Sequence, residues 1–283
     1  MNHFYLIVNH EKRKAEQAAD LVCEYLTGQG CVCKRDDKLA EEGGSYRYTD
    51  RRSVPSETEC VIVLGGDGTI IQASRDLYGL NLPLFGINTG HLGYLTQVSR
   101  DSEIIPALDE LIGDHCFKES RMMLCGKVFA AGTPAFEDLA LNEIVIRRME
   151  TSAMHFSVYV NDQLFNEYAA DGLIVATPTG STAYNLSAGG PIAQPEADLI
   201  LLTPICPHTL NSRSIVLSAS SKISVRIGGR GQGKVSVSFD GESMAELMPG
   251  DRVDMEQSQS RTTLLQLKQK PFLENIRNKM QQI

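Results

Sequence analysis

The residues most able to do chemistry stand at 64 to 69, where Leu64-Gly65-Gly66-Asp67-Gly68-Thr69 follows an apolar run and precedes a helical pattern. Three glycines let a backbone approach a ligand closely and adopt positive φ. The free amides of such a loop at a helix start bind phosphate oxygens without any lysine, which makes Gly65, Gly66, Gly68 and Thr69 a candidate phosphate-binding loop. Asp67 is out of place for anion binding alone. A carboxylate repels phosphate unless it holds a metal or takes a proton from an attacking hydroxyl, and phosphoryl transfer requires the latter. The plainer alternative is a strand-to-helix turn with an aspartate N-cap.

A second stretch, Asp171 to Pro191 (DGLIVATPTGSTAYNLSAGGP), places five Ser or Thr hydroxyls between Thr177 and Ser187, after a short strand. Hydroxyls and free amides at a helix start suit sugar, phosphate and base-edge contacts; the alternative is a capped turn. Asn142-Glu143 opens a strand-like IVIRR, and its carboxylate can accept from both hydroxyls of a ribose. Taken alone it is an ordinary surface pair. Gly228 to Val235 (GGRGQGKV) imitates a P-loop but has Val235 where the magnesium-binding hydroxyl belongs, and it lies between alternating strands, so it reads as a glycine-rich hairpin.

The elements that must position these residues change style along the chain. His3 to Val8 reads as a buried strand and Glu11 to Leu26 as a helix stopped by Gly28 and Gly30; CVCKRD (31–36) reads as a second strand, opening a βαβ unit. Residues 36 to 59 read as a long surface loop. Glu59 to Leu64, the glycine turn and Ile70, Ala73 and Leu77 give strand, loop and helix. Leu82 to Asn88 repeats that arrangement, and Ile104 to Ile112 is a helix closing the first domain. From about Arg121 to Asp254 the period becomes two, as in Phe156, Val158, Val160; Ile223, Val225, Ile227; and Val235, Val237, Phe239, giving half-buried antiparallel strands. A strand-like RTTLLQLKQ and a helix-like FLENIRNKM end the chain. The expected division is residues 1–118, 119–254 and a returning segment 255–283.

Composition narrows the partners. The 283 residues carry 27 Lys and Arg against 35 Asp and Glu, a net charge of −8. Neither half is basic: residues 1–118 hold 12 basic and 18 acidic groups, and residues 119–283 hold 15 and 17. That argues against nucleic acid. No apolar run approaches the roughly 20 residues that span a bilayer, and the N-terminus lacks the order of a secretory signal, so a cytoplasmic location is the default. Seven scattered cysteines with no CxxC, and six dispersed histidines, indicate neither disulfides nor a fixed protein-only metal site.

Together these stretches resemble the NAD kinase family: GGDGT at 65–69, INTGHLGYL at 87–95, Asn142-Glu143, the 171–191 block, and SFDGE at 238–242. The resemblance covers most of residues 60 to 250. It implies a Rossmann-like α/β N-terminal domain, a β-rich NAD-binding C-terminal domain, and a C-terminal helix returning to the first. The implied activity moves the γ-phosphate of ATP to the adenosine 2′-hydroxyl of NAD, with Mg²⁺ or Mn²⁺ accompanying ATP, in a homodimer or homotetramer. Asp67 would accept or orient the hydroxyl proton and Gly68 would close on the ribose and phosphates. Glu143 would grip ribose hydroxyls with Asn142 beside the adenine. Thr182, Ala183 and Tyr184 would form the adenine wall and Ser187 its polar edge, with Asn185 and Leu186 also counted as NAD-binding. Asp171 would reach the nicotinamide end, and Asp240 would lie near the dinucleotide across a subunit contact. His91 is a candidate ligand contact and equally an ordinary turn residue; Arg147, Arg148 and His155 fall near the expected site without a matching position. No lysine in 59–68 is available for ATP. The rival readings are a diacylglycerol-type or sphingoid-type lipid kinase sharing the GGDGT loop, which needs an apolar acceptor cleft, and a non-catalytic dinucleotide-binding regulator.

Overall fold

Strand β1 (His3–Val8), α1 (Arg13–Gly28), β2 (Val32–Arg35), β3 (Cys60–Gly65), α2 (Asp67–Asp76), β4 (Pro83–Asn88) and α3 (Asp101–Ile112) follow in order in the computed structural model. The structure describes residues 1–35, 49–90, 93–98, 100–150, 153–208, 212–229, 234–268 and 272–280. The second half contains β5 (Phe117–Ala130), β6 (Thr133–Ala140), β7 (Glu143–Arg148), β8 (Met154–Val160), β9 (Gln163–Ala170), β10 (Gly172–Ala176), the short α4 (Tyr184–Ser187), β11 (Leu199–Ile205), β12 (Ile215–Ser218), β13 (Ile223–Ile227), β14 (Val235–Phe239) and β15 (Ser243–Leu247). The long β16 (Arg252–Gln266) and α5 (Phe272–Met280) complete the described chain. Two compact units result: Met1–Ser120 with Thr262–Ile283, and Arg121–Arg261. The expectation set the corresponding breaks at 118/119 and 254/255.

In the first unit β2, β1, β3 and β4 run parallel in that order, and Thr263 and Leu264 at the end of β16 add parallel to β4. Buried on both faces, β1, β3 and β4 are continuous apolar runs, as parallel sheets demand, whereas the edge strand β2 (VCKR) has no buried residue. Ala15, Ala18, Ala19, Val22 and Leu26 of α1 lie at helical spacing and pack with Leu6, Ile62 and Leu64 from the sheet, Leu108 and Leu111 of α3, and Leu265 of the returning segment. Strand order reverses between β1 and β3. In open α/β sheets the crevice outside the carboxyl ends at such a reversal receives ligands, and here the Asn9–Lys12 and Gly66–Thr69 stretches leave from it.

The second unit is a pair of antiparallel sheets. One has the order β12-β11-β10-β7-β14-β15; the other pairs β9, β8, β13 and the Arg252–Met255 end of β16. Ile144, Ile146, Val175, Val237 and Phe239 from the first meet Phe156, Val158, Val225 and Met255 from the second in one core. Alternation explains this, since period-two residues share a face.

Several expectations need correction. The Gly65–Thr69 turn is shorter than its motif: Gly66 is the N-cap and Asp67 already opens α2, so Asp67 is not the N-cap. The repeat after β4 does not pass straight into a helix; Val98 first bridges Ile87 and α3 begins at Asp101. Part of the predicted surface loop is internal, because Thr49 is fully buried with its hydroxyl 2.8 Å from Tyr5 Oη; its residues 36–48 lie outside the described ones. The strands flanking Gly228–Val235 do not pair as a hairpin, because β13 and β14 belong to different sheets; residues 230–233 of that stretch lie outside the described ones. Strand β14 is buried throughout rather than half-buried.

Candidate active site

In the first unit, three chain turns are stitched together at the carboxyl ends of β1, β3 and β4. Asn9 N–H donates to Leu64 O at 2.9 Å and Thr89 N–H to Gly65 O at 2.8 Å. Thr69 Oγ1 accepts from Gly66 N–H and from Asn9 Nδ2, both at 3.3 Å. Thr69 is buried, so its hydroxyl braces the loop. A Cβ on Gly65 would lie 2.2 Å from Thr69 Oγ1, whereas one on Gly68 would meet nothing within 4 Å. Gly65 therefore serves the fold, and Gly68 faces open space.

Asp67 is held by the INTGHLGYL stretch. Its carboxylate accepts the backbone N–H of Tyr94 and, at 3.0 Å, that of Leu95. A Cβ on Gly93 would lie 1.9 Å from Asp67 Oδ1, so only glycine permits this approach. Each oxygen takes one amide and keeps a lone pair for another donor. Burial, with the Asp67 charge second, raises the Tyr94 phenol above its ordinary value. His91 lies outside the described residues. Lys12, which the sequence reading left out, brings its Nζ within 3.4 Å of where a Gly66 Cβ would stand and 3.7 Å of the same point on Gly90.

In the second unit, the Asn142-Glu143 turn is locked from two sides. Asp240, at φ +51°, accepts the N–H groups of Leu141 and Asn142 at 2.8 Å and of Glu143 at 3.0 Å, and returns its own N–H to Glu143 O. Its carboxylate is thus engaged by backbone. From the other side Thr177 donates its N–H to Asn142 O at 2.8 Å and its hydroxyl to Leu141 O at 2.6 Å. A Cβ on Gly180 would lie 2.2 Å from Asn142 O, so glycine lets the hydroxyl-rich loop lie directly on this turn. Glu143 is only 8% exposed, and its Oε2 has no hydrogen-bond partner among the described residues. Burial, then the Asp240 charge, pushes its carboxyl up to about 8. An uncompensated buried carboxylate oxygen is costly unless a ligand's donors complete it.

The loop after β10 turns alternate residues in and out. Asn185 is fully buried: its Nδ2 donates to Pro191 O at 3.0 Å and Ser181 O at 3.3 Å, and its Oδ1 accepts from Thr203 at 2.7 Å. That amide braces the loop. Tyr184, Leu186 and Ser187 are exposed, with Thr182 and Ala183 half-buried. Arg148, which no motif assigned, forms an ion pair with Asp171 at 2.8 Å. In the β7–β10 register Glu143 faces Ala176 and Arg147 faces Gly172. Asp171 and Glu143 therefore stand at opposite ends of β10, separated along it by roughly 16 Å at about 3.3 Å per residue.

Among the described residues no cluster of three or more His, Cys, Asp or Glu side chains is arranged to hold a metal ion, and no helix is long and apolar enough to cross a membrane.

A parallel sheet with glycine-rich turns at its reversal point is the architecture of a nucleotide-binding α/β unit. Comparison with known proteins makes this specific. The family model described as ATP-NAD kinase N-terminal domain matches residues 4–116, and that described as ATP-NAD kinase C-terminal domain matches 141–267. An NAD kinase of Lachnospira eligens is 43% identical, over 99% of this chain and all of its own length. Yeast NADH kinase, solved in complex with NADH, superposes with a TM-score of 0.84 at 25% identity, covering 98% of this chain and 86% of that one. An NAD kinase from Archaeoglobus fulgidus in complex with ATP shares the fold at a TM-score of 0.76 and 23% identity, over the whole of both chains. The chain belongs to the NAD kinase family.

Proposed function

We propose that this chain is an NAD kinase that transfers the γ-phosphate of ATP to the adenosine 2′-hydroxyl of NAD, making NADP and ADP. The observation that carries the reading is the buried Oε2 of Glu143, without a hydrogen-bond partner among the described residues, beside a loop rich in hydroxyls, which fits the paired hydroxyls of a ribose. Asn142 lies beside the adenine, Thr182, Ala183 and Tyr184 form its wall, and Ser187 and Leu186 border it. Asp171 serves the nicotinamide end, in keeping with its distance from Glu143. Asn185 and Asp240 act on the ligand through the loop and turn they hold.

Asp67 accepts the proton of the 2′-hydroxyl as that oxygen bonds to the γ-phosphorus and the bond to the β-phosphate oxygen breaks. Fixed by two amides, the carboxylate needs no reorientation, and orientation of this kind is a large part of phosphoryl-transfer catalysis. The amide of Gly68 lines the phosphates, and Gly66 lets the chain turn beside them while its own N–H is held by Thr69 Oγ1. The residues present fit a divalent ion that arrives on ATP better than one caged by protein, and Mg²⁺ or Mn²⁺ so bound supplies charge neutralisation. We assign the protein to the cytoplasm and to a homodimer or homotetramer; exposed Val216, Met244 and Met248 at the edges of the six-stranded sheet offer apolar area for assembly.

A coupled assay with ATP, Mg²⁺ and NAD tests the reading, with a diacylglycerol as the competing acceptor. NADP formation is expected. Phosphorylation of the lipid instead, or no NADP above background, overturns it.

A further inference from the structure

We propose that Lys12 is the cation that holds the donor's phosphates over the Gly65–Thr69 loop, an inference that rests on the kinase reading above and names the residue its donor side lacks. Lys12 is distant from that loop in sequence and reaches it through strand order. It leaves from the end of β1, beside β3 at the reversal point of the sheet, where α/β folds receive nucleotides.

The position of its ammonium is specific. Cβ atoms on Gly66 and Gly90 would lie 3.4 and 3.7 Å from Lys12 Nζ, so the charge sits between two turns whose missing side chains leave backbone open to a ligand. Gly66 has extended φ and ψ, a conformation open to any residue, so backbone geometry does not demand glycine there. A Cβ at 66 would meet the lysine head at ordinary contact distance and no other neighbour within 4 Å. The backbone that carries it is anchored: Lys12 N–H donates to Asn9 O at 3.0 Å, and Asn9 is tied to Leu64 and Thr69.

Lys12 makes no ion pair or side-chain hydrogen bond among the described residues. The nearby carboxylate, Asp67, already takes two backbone amides. An unpaired ammonium beside the first turn of α2, where Gly68 faces open space, matches a polyphosphate, for which lysine acts as a mobile point charge. Lys14 and Arg100, together with the opposite charge of Asp101, line a small cavity of about 60 Å³ that shares Gly90 with the Lys12 site. A net charge of −8 therefore does not leave the donor to backbone amides and metal alone.

The test compares wild type with Lys12→Met and Lys12→Arg in calorimetric titrations with Mg²⁺-ATP, with inorganic triphosphate and with NAD, alongside initial rates. Because the side chain is exposed, the variants are expected to melt with the wild type. Lys12→Met should weaken ATP and triphosphate by about tenfold to a hundredfold, the range of a charge-assisted hydrogen bond. Lys12→Arg should recover most of that, and NAD affinity should stay within about twofold, inside the few-tenths scatter of a remote site. ATP affinity unchanged in Lys12→Met, equal losses for NAD and ATP, or a wild type that binds no ATP would each overturn the assignment. Normal NADP formation with ATP affinity indifferent to Lys12 sinks this inference alone. Lys12-dependent ATP binding without NADP formation sinks the kinase reading alone.

Discussion

Replacing Glu143 by glutamine should stabilise the ligand-free protein at neutral and alkaline pH while weakening its hold on NAD. The Glu143 carboxyl stands at about 8 in the fold against an ordinary 4.5, chiefly through burial and secondarily through Asp240. Between those pH values the folded state keeps a proton that the unfolded state has lost. Its stabilising contribution is therefore complete below about pH 4.5 and disappears as pH rises through 8. At about 1.36 kcal/mol per tenfold, the full swing is on the order of 5 kcal/mol, of which about 3 kcal/mol is gone at pH 7. Glutamine has nearly the same shape and never ionises. Urea unfolding of both proteins without ligand should find Glu143→Gln ahead by about 1 kcal/mol at pH 5 and by roughly 4 kcal/mol more at pH 8.5.

The same group links binding to protons. Ribose hydroxyls that donate to Glu143 favour its charged form, so NAD binding at pH 7 should release a proton. Calorimetry in buffers of different ionisation heat measures that release directly. In Glu143→Gln it should vanish, and NAD affinity should fall by about tenfold to a hundredfold. A stability difference equal at pH 5 and pH 8.5 would falsify the burial argument. Unchanged proton release would remove Glu143 from the ribose.

Three further outcomes follow from the loops. Asp67→Asn should retain NAD affinity while turnover drops by about a hundredfold to ten-thousandfold, read from NADP formation at saturating substrates; full turnover would exclude Asp67 as proton acceptor. Gly93→Ala drives a methyl into the Asp67 carboxylate, so kcat should fall with little change in NAD affinity, and a variant with normal kcat would mean that the two amides do not position Asp67. Asn185→Ala removes three hydrogen bonds inside a buried loop and should lower stability by about 2 to 4 kcal/mol, measured by urea unfolding, with NAD affinity falling as the loop loosens; wild-type stability would contradict its bracing role.

What the sequence discloses depends on whether information is local. The shift from continuous apolar runs to period two marks the change from parallel to antiparallel strands because side-chain alternation is a property of each strand by itself. Glu143 is legible because its neighbour Asn142 and the hydroxyl-rich block share its chemistry. Its raised pKa is not, since that comes from burial in the folded chain and from Asp240, which the chain brings back after β14. Likewise Asn185 reads as a ligand residue by company, and only the helical turn at Tyr184–Ser187 reveals that it points inward. Strand order is the larger gap. Alternating runs on both sides of Gly228–Val235 suggest a hairpin because period two does not say which sheet a strand joins. Lys12 escapes for the same reason: nothing near residue 12 says that β1 will lie beside β3. Pairing of β1 with β3 is thus what converts an exposed lysine before a helix into a cation over the Gly66 turn.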